Sequence, residues 1–178
     1  MKQGAIVTGS RGRLGRAFVS RLLHQGFEVQ GVDLGDAPHR DPAPGERPYL
    51  FDLAYTHGEP THHVERVTAH LENWRSYEAI FVPSSLWIGS DHPYGRAKLA
   101  IRHLAAQYRA QGARVVTDPI GYFPGDGVEP DPTEPHYAHR VTGDALYARV
   151  MAMMRPPAIR EEARRPRRAA EPALHIPA

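Results

Sequence analysis

Three glycines, Gly9, Gly12 and Gly15, stand between the short apolar run Gly4-Ala5-Ile6-Val7-Thr8 and a helical stripe at Leu14, Phe18 and Leu22 that stops near Gly26. The order is strand, loop, helix. In that setting each glycine has a distinct physical role. Gly9 permits the tight turn, Gly12 lets backbone amides reach a pyrophosphate, and Gly15 allows close helix packing. The helix N-terminus adds positive potential where Ser10, Arg11, Arg13 and Leu14 surround the glycines. The bland alternative is a glycine-rich turn that only joins a strand to a helix.

The remaining pattern repeats this alternation. Phe27 to Asp33 reads as a second strand, Tyr49 to Asp52 as a third, Ala79 to Val82 as a fourth ending at Pro83-Ser84-Ser85, and Ala113 to Val116 as a fifth. Helices are predicted over Thr61 to Tyr77, from Pro93 to near Gly112, and over Val141 to Met154. The proline-rich stretches Ala37 to Pro48 and Pro119 to Pro135 read as loops. Strands alternating with helices predict an α/β class: one Rossmann-like, doubly wound parallel sheet over residues 1–154, with no separate substrate domain.

At 178 residues with 41% hydrophobic content the chain can close a single core, and no apolar run reaches the length of a membrane span. With no signal-peptide pattern, the expected location is cytoplasmic, and no membrane partner is expected. Zero cysteines exclude disulfides, thiolate metal ligands and a cysteine nucleophile. Residues 155–178 hold six arginines against three glutamates, which leaves the body at 16 basic against 17 acidic residues. Such a body offers no broad basic face, so no nucleic acid is expected; the Arg/Pro-rich tail reads as disordered.

Asp33 ends the second strand 18 residues after Gly15, where a carboxylate can accept hydrogen bonds from both adenosine ribose hydroxyls. A dinucleotide is thus the expected cofactor. NAD is favoured because Asp33 repels a 2′-phosphate, while Arg11 and Arg13 leave NADP open. Tyr94-Gly95-Arg96-Ala97-Lys98 places a phenol and an amine one helical turn apart. With eight tyrosines and two lysines in the chain, the spacing has about 0.09 chance occurrences. Lys98 also shares a stripe with Ala97, Ile101 and Ala105, where a core residue is expected. An ammonium beside a phenol lowers the phenol pKa and equips it for proton exchange with a hydroxyl or carbonyl. Ser84 or Ser85, at a strand end, could donate a hydrogen bond to the same substrate oxygen.

The Gly-x-x-Gly-x-x-Gly loop, Ser84-Ser85 and Pro93-Tyr94-Gly95-Arg96-Ala97-Lys98-Leu99 together resemble the short-chain dehydrogenase/reductase superfamily over roughly residues 4–127. The resemblance is to its extended branch of nucleotide-sugar epimerases, dehydratases and reductases. It implies an NAD(P)-dependent enzyme acting on a sugar-like or other small hydroxy/carbonyl substrate. Tyr94 would be the acid/base, Lys98 its pKa partner and ribose anchor, and Ser84 or Ser85 the oxygen donor. Asp52-Leu53 resembles the branch's adenine-contacting pair, with a strand-end helix cap as the alternative.

Two departures matter. The family's tyrosine follows five strands, whereas Tyr94 follows four. Either one strand-helix unit is missing, or the register is different, with Ala79 to Val82 as the ordinary fourth strand, Thr117-Asp118 after the fifth, and Tyr137 as the tyrosine with Val141 in the lysine position. The 51 residues after Gly127 also leave no room for the family's substrate domain. A dinucleotide-binding sensor, scaffold or subunit without activity is the competing reading, and a functionless shortened product is a third. A homodimer through helix faces stays open.

His62, His63 and His70 are expected on a solvated helix face, and no metal site is predicted. Trp87 could line a substrate pocket or pack on the sheet. Tyr122 to Gly127 resembles a substrate-facing loop of the extended branch, and a plain turn explains it equally.

Overall fold

Consecutive buried residues along three short strands require cover on both sheet faces, and the chain supplies it with two helices on each. The computed structural model describes residues 2–37, 39, 42–43, 45–56, 58–123, 133 and 141–155. The elements are β1 (Gly4–Thr8), α1 (Arg13–His24), β2 (Glu28–Val32), β3 (Tyr49–Asp52), α2 (Pro60–Glu72), a 3-10 turn (Trp74–Ser76), β4 (Ala79–Ser85), α3 (Pro93–Ala110), β5 (Val115–Ile120) and α4 (Gly143–Met154). Every strand pairing is parallel. On one face Phe18 and Leu22 of α1 and Leu146 and Val150 of α4 pack on Val7, Phe51 and Phe81. On the other, Val67 and Leu71 of α2 and Ile101 and Ala105 of α3 pack on Ile6, Leu50 and Ile80.

Strand order resolves the missing-unit question. The sheet runs β2-β1-β3-β4-β5, whereas the common doubly wound order is 3-2-1-4-5-6. β3 pairs with β1 on the side away from β2, so it stands in the fourth position, and β4 in the fifth. Among the described residues no strand lies outside β2, where that order has its third. Tyr94 therefore follows the strand in the fifth position after all, and the register in which Ala79 to Val82 is the ordinary fourth strand is overturned. The same order revises the Asp52-Leu53 reading, which rested on β3 being third: Asp52 lies across β1 from β2. Nor does Asp52 cap a helix, because the α2 cap position is Glu59.

Several boundaries also shift. β2 is shorter than Phe27 to Asp33, and α2 ends at Glu72, with the 3-10 turn filling the remainder. β5 begins at Val115 rather than Ala113 and continues through Pro119 to Ile120, where a loop was expected. Pro119 is tolerated because β5 is an edge strand, so one side of it has no ladder to supply. α4 begins at Gly143, not Val141, because the Thr142 hydroxyl accepts the Ala145 N–H and caps it. Residues 156–178, most of the expected tail, lie outside the described residues. Among the described residues no helix is long and apolar enough to cross a membrane.

Candidate active site

The carboxyl ends of β1, β3 and β4 open on one side of the sheet, at the crevice where chain order reverses about β1. Gly9 adopts φ +65°, and a Cβ there would come within 2.8 Å of the Ala54 backbone. Gly9 is therefore required by both conformation and close approach. A Cβ on Gly15 would lie 2.0 Å from the Gly9 carbonyl oxygen, so the first turn of α1 sits directly on the loop. Gly12 caps α1 without a side-chain bond, is exposed, and is followed by a first turn with no acidic residue. These features suit an anion: orphan amides, helix potential and an open approach.

Asp33 follows β2 directly. Its Oδ2 accepts the Arg11 backbone N–H at 2.6 Å and its Oδ1 accepts Leu34 N–H at 2.8 Å. The Arg11 guanidinium lies 3.9 Å from the same Oδ2 and hydrogen-bonds to Asp36 at 3.0 Å and to the Leu34 carbonyl. The backbone N–H of Asp33, with help from Arg11, holds the Asp36 carboxyl below its usual range.

A cleft of about 700 Å³ joins most of the sequence-predicted residues. Gly9, Gly12, Arg13, Leu14, Gly15, Asp52, Leu53, Ser84, Ser85, Tyr94 and Lys98 all line it, as do Trp87, Tyr122 and Phe123. Ser10, Arg11 and Asp33 lie outside its wall. Tyr137 and residues 124–127 lie outside the described residues. Ser84 and Ser85 are buried at the end of β4, and the Ser85 oxygen accepts Trp87 N–H at 3.1 Å, which leaves its own proton to donate. Trp87 is 37% exposed and meets Tyr122 edge to face.

Lys98 is buried on the core stripe of α3, at 4% exposure. Its Nζ donates to the Pro83 carbonyl at 2.9 Å, lies 3.0 Å from His63 Nε2, and sits 5.6 Å from the centre of the Tyr94 ring. Tyr55, from the loop after β3, meets Tyr94 edge to face with ring centres 5.1 Å apart. Burial pushes the Lys98 ammonium down to about 8, with Asp52 opposing the shift and Arg66 adding to it.

The expectation of a solvated histidine face fails for two of its three members. His62 is exposed beside Glu59, but His63 and His70 are buried. They fall with Val67 and Leu71 on the inward stripe of α2, at positions 63, 67, 70 and 71. That periodicity was present in the sequence. Asp52, fully buried, is the hub they serve: Oδ1 accepts Thr8 Oγ1 at 2.9 Å and Arg66 Nη2 at 3.0 Å, and Oδ2 lies 3.0 Å from His70 Nδ1. Burial opposes its ionisation, yet the His70 bond and the Arg66 guanidinium outweigh that and hold the carboxyl well below the usual range. Arg66 also donates to the Ala54 carbonyl and approaches His63 Nδ1 at 2.8 Å. Burial, then the neighbouring Lys98 charge, pushes His63 down to about 3. Nothing in the motif reading pointed to Arg66 or Tyr55. Among the described residues no group of three or more metal-ligating side chains gathers.

No protein-family model and no curated protein matches the sequence. Solved structures do match the fold. The chain is similar to the capsular polysaccharide assembling protein CapF from Staphylococcus aureus (16% identity, TM-score 0.58, 89% of this chain and 51% of that one). It is similar to MoeE5 in complex with UDP-glucose and NAD (19% identity, TM-score 0.58, 89% and 73%). It is also similar to the 3-alpha-hydroxysteroid dehydrogenase from Pseudomonas sp. B-0831 complexed with NADH (16% identity, TM-score 0.64, 86% and 90%). The chain thus spans about half the length of CapF. The likeness is one of fold: a parallel α/β sheet of the kind these solved structures share.

Proposed function

We propose that this chain binds a nicotinamide dinucleotide on the Gly9–Gly15 loop and uses Tyr94 to move a proton at a small hydroxy or carbonyl substrate, as an oxidoreductase, epimerase or dehydratase. The observation that carries this reading is the convergence of the glycine loop, Ser84-Ser85 and the Tyr94-Lys98 pair on one cleft. The bound dinucleotides of MoeE5 and the steroid dehydrogenase, on the same fold, support the cofactor class. NAD is preferred over NADP because Asp33 stands where a ribose phosphate would bring a second negative charge.

When bound, the nicotinamide supplies a hydride acceptor or donor. The protein supplies the rest. Amides of the α1 N-terminus hold the diphosphate, Ser84 or Ser85 donates to the substrate oxygen, and Tyr94 exchanges that oxygen's proton with Lys98 as its proton partner. The UDP-glucose carried by MoeE5 makes a nucleotide sugar the first substrate class to try.

The test is calorimetric titration with NAD and NADP, followed by turnover assays on nucleotide sugars and small secondary alcohols. Absence of dinucleotide binding overturns the reading. Binding without turnover selects the second reading, a dinucleotide sensor, scaffold or subunit.

A further inference from the structure

Trp87 stands in the turn between β4 and α3, and its backbone is tied down on both sides. Its N–H donates to Ser85 Oγ at 3.1 Å, its carbonyl accepts the Ser90 N–H at 3.2 Å, and the neighbouring Leu86 N–H donates to the Ile120 carbonyl at 3.2 Å. Gly95, directly after Tyr94, closes on the same turn: a Cβ there would lie 2.8 Å from the Trp87 carbonyl oxygen and closer still to Ser90 Oγ. The backbone that carries the indole is thereby fixed between Ser85 and Tyr94.

A single exposed apolar side chain is ordinary on a protein surface. This one lines the cleft with Ile120, Tyr122 and Phe123, and its ring meets the buried Tyr122 ring edge to face with centres 6.4 Å apart. A ring placed only for packing gains by burying its surface, whereas Trp87 stays more than a third open, two residues from Ser85.

Charge limits what can lie against it. Of the described residues that line the cleft, only Arg13 and Lys98 are lysine or arginine. Arg13 is on the glycine loop, where the dinucleotide's own diphosphate is assigned, and Lys98 is buried beside Tyr94. Burial holds His63 neutral, and His92 spends Nδ1 accepting the Tyr94 N–H. A second diphosphate at the Trp87 end would lose water without a described cation to meet it. Nor do the Ile120 and Phe123 side chains offer hydrogen bonds to the hydroxyls of a bare sugar.

We propose that Trp87 is the platform that sets the substrate class: an uncharged secondary alcohol or ketone whose hydrophobic ring lies on the indole, rather than a nucleotide sugar such as the UDP-glucose of MoeE5.

The chemistry at that ring rests on the proposed function. In the oxidising direction the carbinol hydrogen leaves as a hydride to the oxidised dinucleotide, the hydroxyl proton passes to a Tyr94 phenolate beside the Lys98 ammonium, and the ketone remains. Trp87 touches only the ring, so it stabilises ground and transition states alike.

The experiment uses the full chain and three probes, 1-indanone, UDP-glucose and methyl glucopyranoside, titrated calorimetrically with and without NAD. The wild type is expected to bind 1-indanone more tightly than either sugar. Trp87→Ala is expected to weaken 1-indanone binding about tenfold and to raise KM for 1-indanol by the same factor with kcat nearly unchanged; Trp87→Phe should recover most of the loss. Tighter binding of either sugar, no binding of 1-indanone, or unchanged 1-indanone affinity in a folded Trp87→Ala overturns the proposal. If Trp87→Ala does not fold, the ranking of the three probes on the wild type decides. The two readings fail separately. Turnover of UDP-glucose that requires Tyr94 keeps the proposed function and overturns the platform, whereas Trp87-dependent binding of 1-indanone without turnover of 1-indanol keeps the platform and overturns the proposed chemistry.

Discussion

The Thr8 hydroxyl donates to the Asp52 carboxylate at 2.9 Å, joining the last residue of β1 to the last residue of β3 at matching positions of a parallel pair. Thr8 Oγ1 in turn accepts the Ala54 N–H. Since Gly9 follows Thr8, and Asp52 leads through Arg66 and His63 to Lys98, one polar chain joins the glycine loop to the Tyr94–Lys98 side of the cleft. Geometry imposed at the loop is thereby carried to the lysine.

Replacing the hub should be costly. Asp52→Asn keeps the shape but removes the charge that Arg66 and the buried histidines face, and breaking a buried ion pair costs about 3–5 kcal/mol. Because the Arg66 side chain is 28% exposed and can regain some solvent, roughly 2–4 kcal/mol is expected. Denaturant unfolding with an unchanged slope checks this.

Stability should fall in acid over a defined window. The folded protein holds His63 near 3 against an ordinary 6.5, so it favours the neutral ring. That contribution is complete above 6.5 and is lost as pH falls from 6.5 towards 3, on the order of a few kcal/mol. Asp52 is also lowered; its contribution is present above 3.8 and disappears at still lower pH. Lys98 has the same sign at high pH: its burial cost is full below about 8 and fades as pH rises towards 10.5. Thermal unfolding as a function of pH in wild type and His63→Gln checks the first window, which should flatten in the variant.

Gly12→Val separates cofactor approach from folding. A Cβ at Gly12 meets only the Gly9 carbonyl oxygen, at 3.1 Å, whereas at Gly9 or Gly15 it would strike backbone under 3.0 Å. The variant should fold with a modest loss of stability and lose dinucleotide affinity at least about tenfold, equal to 1.4 kcal/mol. Calorimetric titration beside circular dichroism makes the comparison, and wild-type affinity in a folded variant refutes the loop assignment.

Asp33→Ala should shift cofactor preference towards NADP, because a carboxylate that repels a ribose phosphate is removed. It also frees the Arg11 backbone N–H that Asp33 now accepts. The preference for NAD over NADP should shrink by the removed repulsion, and an unchanged ratio of the two dissociation constants takes Asp33 out of the site.

Tyr94→Phe should reduce turnover by about 10²-fold or more and leave dinucleotide binding near wild type, since only the proton-transferring group is lost. Lys98→Met should harm both, because Nζ is assigned to the phenol's proton and to the ribose. Single-turnover kinetics and binding titrations on the same preparations distinguish the two patterns.

The glycine spacing, the alternation of strands and helices, and the phenol and lysine one turn apart were legible from the amino acids alone. Each is a local signal: a turn that only glycine satisfies, a periodicity of two or 3.6, a shared helix face. Lys98 was even legible as a buried lysine, because its stripe neighbours are apolar. What local signals do not carry is the order of strands in the sheet. Nothing within Tyr49–Asp52 specifies on which side of β1 it pairs, since a parallel connection reaches either edge and the choice is made by packing of the whole sheet. That choice put β3 in the fourth position, Tyr94 after the fifth, and Asp52 under α2. Only then did His63, Arg66 and His70 acquire partners, from residues 35, 14 and 18 positions away. A buried polar group must be satisfied by whatever the fold brings to it, and for this network only the tertiary structure decided what that was.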